Sequence, residues 1–367
     1  MDIDISGFAR PLTINPQSQP HKHTIILLHG RGSNSTEFGP ALLFKPLRAH
    51  RSRLHVNGGS GGSNGNGSIN SSNSKATNPR NSTNSRSAHN TTSNSPAAAY
   101  YHRRGSSITL REALPHAKFI FPTAVSLHAK ALDGCAVNQW FDNWPLAPMV
   151  ASWNYSGTPS SSSSSSSSAY SNQKDNDTLP IPGLQQTVRF LHDLIQTEID
   201  ELGGDAGGVV IGGFSQGSAA SLIAALLWEG ESLGAWVGMS GWMPFARQIQ
   251  RAAEDEAAAD PNTALQRGVD KLRNILDFHH VSSGAGAGSC DEDSTREVQI
   301  PIEHTPLFMA HGLKDDKAPI ILSRMVRSCL ESLHLDIQHK EYEYGEHECS
   351  EEALCDVVNF LWEKLRH

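Results

Sequence analysis

The chain predicts an α/β fold: a doubly wound, mostly parallel sheet flanked by helices and interrupted by disordered low-complexity insertions. Two observations point there. Short apolar runs alternate with longer amphipathic ones, the pattern of a parallel sheet covered on both faces. The apolar content, 38% of 367 residues with a mean hydropathy of −0.39, is low for a globular chain because polar tracts dilute an ordinary core. Residues 57–96 are nearly all Ser, Asn, Gly and Thr, and residues 160–168 are an unbroken serine run. Neither composition buries enough apolar surface to offset chain entropy. With insertions at 51–104 and 156–178 set aside, roughly 290 residues remain, which fits one domain over 1–367 better than two.

In chain order, strands are expected at Thr24–Leu28, Lys118–Phe121, Val209–Gly212, Ala235–Met239, Pro306–Ala310 and Ile337–Tyr344. Each core strand among them is a short apolar run, as expected when helices cover both faces of the sheet. Helices are expected at Gln185–Leu202, Gln216–Glu229, Thr263–Phe278, Pro319–Leu333 and Ser350–Leu365. A partly helical insertion over 245–300 carries Leu265, Val269, Leu272 and Leu276 at helical spacing, which reads as a stripe packed on the domain's side rather than a lid. Ligand chemistry in such sheets gathers at the carboxyl ends of the strands.

The formal charge of −8 argues against a dedicated nucleic-acid binder. That charge is an average. Between Pro46 and Leu110 lie eight basic residues and no acidic one, which leaves roughly −16 on the remainder. A basic tract of this kind is a solvated linker first, with weak attraction to an anionic membrane surface as the sharper reading. No run of 18 apolar residues occurs and the first residues lack a signal-peptide pattern, so a soluble, cytoplasmic protein is expected. Five irregularly spaced cysteines fit a reducing compartment. No His-Glu-x-x-His or Cys-x-x-Cys motif occurs, and Gly203–Gly208 precedes a strand where a phosphate loop follows one, so neither metal nor cofactor is expected.

The strongest motif is Gly213-Phe214-Ser215-Gln216-Gly217, with a β-type run before it and small helical residues after it. A sharp strand-to-helix turn exposes such a serine, and the helix N-terminus behind it favours developing negative charge. The serine needs a base held by a third group. With acid then histidine following the serine, His311-Gly312-Leu313-Lys314-Asp315-Asp316 supplies the acid, Asp315 or Asp316, and Gly345-Glu346-His347 supplies the base. Among 18 histidines, His347 stands out by this order; His89 and His192 read as solvated or capping. At the end of the first strand, His29-Gly30-Arg31-Gly32 places the backbone N–H of Arg31 to join that of Gln216 as oxyanion donors.

Together with Ile26–Gly30, Phe121–Ala124, Gln139-Trp140-Phe141-Asp142 and Met239–Pro244, these motifs resemble the acyl-protein thioesterase, lysophospholipase and carboxylesterase family of α/β-hydrolases. The resemblance selects Asp315 as the triad acid and places Gln139, Trp140 and Phe141 at the substrate. It implies a serine hydrolase acting on an acylated protein or a small acyl ester, through a Ser-His-Asp triad and an acyl-enzyme. Acyl-protein (palmitoyl-protein) thioesterase is the leading reading, with lysophospholipase or short-chain carboxylesterase as the alternative. A serine exopeptidase and a non-catalytic interaction protein are more remote. Arg31 and Leu313 depart from the family's usual residues, and Glu348 puts a carboxylate next to His347 in sequence.

Overall fold

The structure, a computed structural model, describes residues 7–48, 107–146, 178–255, 263–278 and 300–365. The insertion expected at 51–104 lies outside these residues, as does that at 156–178 except for its last residue.

A seven-stranded sheet runs through the chain. Its strands are β1 (Ala9–Ile14), β2 (His23–Leu28), β3 (Ala117–Thr123), β6 (Val209–Phe214), β7 (Ala235–Met239), β8 (Leu307–Gly312) and β9 (Ile337–Tyr342), in the order β1-β3-β2-β6-β7-β8-β9. Only the edge strand β1 is antiparallel to its neighbour. Between β3 and β6, β4 (Ser126–Ala129) and β5 (Cys135–Asn138) form a separate hairpin. All six expected strands are present, shifted at their ends by up to two residues.

The helices are α1 (Ser35–Leu43), the single turn α2 (Leu110–Ala113), α3 (Ile181–Glu201), α4 (Gln216–Leu226), α5 (Ala246–Ala253), α6 (Ala264–Leu276), α7 (Ile321–Ser332) and α8 (Glu351–Lys364). Side chains alternate across the strands, so one apolar cluster forms on each face. Ile26, Leu28, Val209, Ile211 and Trp236 pack towards α3 to α7. Ile25, Leu27, Val210, Val237 and Met239 pack towards α1, α2 and α8. Local chemistry sets the helix ends: Asn34, Thr263 and Ser350 accept hydrogen bonds from first-turn N–H groups of α1, α6 and α8.

Within 245–300, α5 and α6 are described, and residues 256–262 and 279–299 are not. The stripe Leu265, Val269, Leu272 and Leu276 is buried in the α3–α7 cluster and lines no part of the cavity beside Ser215 and His347. His192 departs from the sequence expectation: its Nε2 lies 2.9 Å from the carbonyl of Ala224, a cross-link between α3 and α4 rather than a cap.

Strand order positions the site. β2 and β6 are neighbours, with Leu28 opposite Gly213, yet the chain leaves β2 towards β3 on one side and β6 towards β7 on the other. Connections that diverge in this way open a crevice outside the carboxyl ends of the two strands. Arg31 follows one of these ends and Ser215 the other.

Candidate active site

Ser215 joins β6 to the eleven-residue helix α4 at φ 55° and ψ −120°, backbone angles a non-glycine residue rarely adopts. Its N–H is tied to the carbonyl of Met239 at 2.8 Å. The flanking glycines leave room for this turn. A Cβ on Gly213 would lie 2.6 Å from the Gly217 carbonyl carbon, and one on Gly217 would lie 2.3 Å from the Leu28 carbonyl oxygen. Both obstacles are backbone and cannot swing aside. Gly217→Ala is therefore expected to destabilise the fold by about 1–3 kcal/mol or more, read as a lower urea midpoint; an unchanged midpoint would show that the turn relaxes freely.

Asp315 and His347 meet across the ends of β8 and β9. The carboxylate Oδ2 lies 2.8 Å from His347 Nδ1, and Oδ1 accepts from the N–H groups of Lys317 (3.0 Å) and Ala318 (2.7 Å). A second imidazole closes over the same oxygen, with His311 Nε2 at 3.4 Å. Burial works against the charged carboxylate, but hydrogen bonds from His311, His347 and Ala318 outweigh it and hold Asp315 well below the usual carboxylate range. Geometry thus separates the two aspartates: Asp315 is buried and bound, whereas Asp316 is exposed. The turn after β8 is capped by Asp315 itself. Glu348 faces outward to pair with Lys45 at 3.6 Å. The ring packed on His347 is that of Phe214, 4.8 Å between centroids.

Ser215 and His347 line one cavity of about 710 Å³, walled in part by Arg31, Phe38, Leu132 and Leu146. No hydrogen bond joins the Ser215 hydroxyl to the imidazole among the described residues; such contacts often tighten only when substrate binds. Among the described residues the N–H groups of Arg31 and Gln216 find no hydrogen-bond acceptor, while that of the adjacent Gly32 is spent on Asn138 at 2.8 Å. A second cavity, of about 480 Å³, lies at the amino ends of β8 and β9, beside Thr305, Leu307 and Gln338. It contains none of the candidate catalytic residues.

The expectation for Gln139, Trp140 and Phe141 is corrected. All three are fully buried and none lines the cavity; the neighbouring Asn143, Pro145 and Leu146 do. The motif segment instead supports the site from behind. Trp140 Nε1 donates to the carbonyl of His29 at 2.8 Å, and Gly183 packs so closely that a Cβ would lie 2.6 Å from Phe141 Cα. The Gln216 side chain accepts from Trp140 N–H (3.0 Å) and donates to the Phe141 carbonyl (2.7 Å). His29 Nε2 accepts from Ala124 N–H, so Nδ1 carries the proton and donates to the Gly30 carbonyl at 2.7 Å. Burial lowers its pKa, in keeping with this neutral form. Arg31 sits in the cavity wall, where burial lowers its guanidinium from the ordinary value and the Asp142 charge partly compensates. Asn143 stands in no sequence pattern that assigns it a partner, and His311 opens the motif that carries Asp315 without the pattern revealing that its imidazole meets that carboxylate.

Among the described residues no group of three or more His, Cys, Asp or Glu is placed to hold a metal, and no helix is long and apolar enough to cross a membrane. A family profile described as phospholipase/carboxylesterase matches residues 169–265. The chain is 25% identical over 255 residues to acyl-protein thioesterase 1 of Yarrowia lipolytica, covering 69% of this chain and 80% of that protein. It is likewise 25% identical over 255 residues to the protein of the same name from Gibberella zeae, covering 70% and 80%. The crystal structure of Zea mays acyl-protein thioesterase 2 shares the fold, with a TM-score of 0.52, 18% identity and coverage of 97% of this chain and 99% of that one. The parallel sheet and these similarities agree: the chain is an α/β-fold serine ester hydrolase similar to the acyl-protein thioesterase, lysophospholipase and carboxylesterase family.

Proposed function

We propose that the protein hydrolyses acyl thioesters on proteins, with Ser215, His347 and Asp315 as its triad and the N–H groups of Arg31 and Gln216 as oxyanion donors. The observation that most supports this reading is a strained serine in one cavity with a histidine whose far nitrogen binds a buried aspartate. His347 Nδ1, 2.8 Å from the carboxylate, holds its proton there, which leaves the Nε2 lone pair as base. Nε2 takes the proton of Ser215 as its oxygen attacks the acyl carbon. The oxyanion then collapses, expels the thiol with the proton returned from the imidazolium, and leaves an acyl-serine. Water, deprotonated by the same nitrogen, releases the carboxylic acid and restores Ser215.

The neighbouring reading, lysophospholipase or short-chain carboxylesterase, uses the same residues with a different acyl pocket. No cofactor enters the scheme. A cytoplasmic location follows from the same reading, and a contact between the basic tract and anionic lipid is open to a vesicle-binding comparison with 51–104 deleted. The function is tested with a fluorophosphonate probe, followed by acyl thioesters and lysophospholipids of graded chain length. Labelling abolished by Ser215→Ala and rates that rise with acyl length on thioesters are expected. Rates confined to short oxygen esters would favour the carboxylesterase, and an unreactive Ser215 in folded protein would defeat the catalytic reading.

A further inference from the structure

The two residues read as oxyanion donors stand on separate turns, one after β2 and one after β6, and the strand ladder that sets them side by side ends at Leu28 and Gly213, before either donor. Their side chains nevertheless converge on one atom. Asn143 Oδ1 accepts a hydrogen bond from Arg31 Nη2 and another from Gln216 Nε2 at 3.1 Å. Given the oxyanion role read above for the N–H groups of Arg31 and Gln216, on which this depends, we propose that Asn143 is a positioning residue that clamps the two oxyanion-donating turns into one unit.

The amide orientation follows from its partners. Asn143 Nδ2 donates to the Trp144 carbonyl at 2.6 Å, so a flipped amide would set oxygen against oxygen there and NH₂ against two NH₂ donors on the other side. Gln216 is fixed in the same way, its oxygen facing Trp140 N–H and its nitrogen facing the Phe141 carbonyl and Asn143. Two donors fill the two lone pairs of Asn143 Oδ1. The clamp is itself anchored, since Asn143 N–H and Lys130 N–H both donate to Asp142 Oδ1, at 2.9 and 3.0 Å. Asn143 is 6% exposed and Gln216 is fully buried, so the Gln216 amide has no solvent of its own to replace a lost acceptor. Among the described residues Arg31 Nε is buried without a hydrogen-bond partner, and Asn143 is the hydrogen-bonded anchor of that guanidinium.

A clamp of this kind acts on the transition state. Shifting an oxyanion donor by about 1 Å costs about 100-fold in rate, while ground-state binding of the acyl chain changes little. Asn143→Leu keeps the branched shape and the number of side-chain heavy atoms and removes the acceptor. It is expected to lower kcat by about 10- to 100-fold, with KM within about threefold of wild type. The affinity of an acyl trifluoromethyl ketone, which forms a tetrahedral serine adduct, should weaken by the same factor as kcat/KM. Arg31→Met removes one arm and keeps the backbone donor, so a loss of about tenfold is expected. The double variant should be no worse than Asn143→Leu alone, because both changes break one clamp. Thermal midpoints establish folding, and if Asn143→Leu does not fold, Arg31→Met with the ketone titration decides. Wild-type kcat in a folded single variant, a loss carried by KM alone, or multiplying losses in the double variant would overturn the clamp. Those outcomes in an enzyme whose activity still requires Ser215 leave the proposed function standing. Wild-type protein without Ser215-dependent hydrolysis would instead remove that function.

Discussion

Ser215→Ala is expected to lower kcat on any acyl ester or thioester by about 10⁶-fold, the loss seen when a serine hydrolase is stripped of its nucleophile. Binding should survive, because the cavity walls and the N–H groups of Arg31 and Gln216 are untouched. The backbone also benefits. At φ 55° a side chain is strained whatever its identity, so alanine inherits the strain but introduces no new clash. The variant should therefore fold with a urea midpoint close to wild type while failing to label with a fluorophosphonate. Residual Ser215-independent turnover above about one part in a thousand would assign the nucleophile elsewhere.

Asp315→Asn is the second large effect, expected at about 10⁴-fold in kcat. The geometry explains the size. Oδ2 takes the proton-bearing Nδ1 of His347, and Oδ1 is already occupied by Lys317 and Ala318 N–H. An asparagine must keep its oxygen towards the two backbone donors, which turns its NH₂ towards the imidazole. Nδ1 must then accept, and the proton moves to Nε2, where the base needs a lone pair. The same substitution has a stability signature. The folded carboxyl lies below its unfolded value of about 3.9, so its contribution is fully present above that pH and is lost as pH falls through the folded value. The deficit of Asp315→Asn relative to wild type, measured by urea unfolding, should be constant from pH 7 to about 5 and shrink at pH 3. A deficit that grows on acidification would contradict the charged, hydrogen-bonded state of Asp315.

Much of the layout was legible in the chain because it is written in short segments. Apolar runs of the right length marked the five interior strands, and the tight Gly213–Gly217 turn marked the elbow without knowledge of distant contacts. What escaped is equally specific. The edge strand β1 and the β4–β5 hairpin are only partly buried, so their apolar content does not announce them. Helices α1 and α5 are nine and eight residues long, too short for periodicity to declare.

The tertiary structure decided which side chains face the cavity. Gln139, Trp140 and Phe141 stand in a recognisable motif, but a motif does not say which way a segment faces, and here it faces the core. Burial separates Asp315, which the resemblance had selected, from its exposed neighbour Asp316. Asn143 meets Arg31 across 112 residues and Gln216 across 73. By itself the sequence determined the fold class, from local backbone and burial preferences, and it marked the tight turn at the candidate nucleophile and the chain order of the candidate acid and base. Which atoms meet was decided by chain closure over long separations, where packing of the whole sheet rather than any local propensity sets the distance.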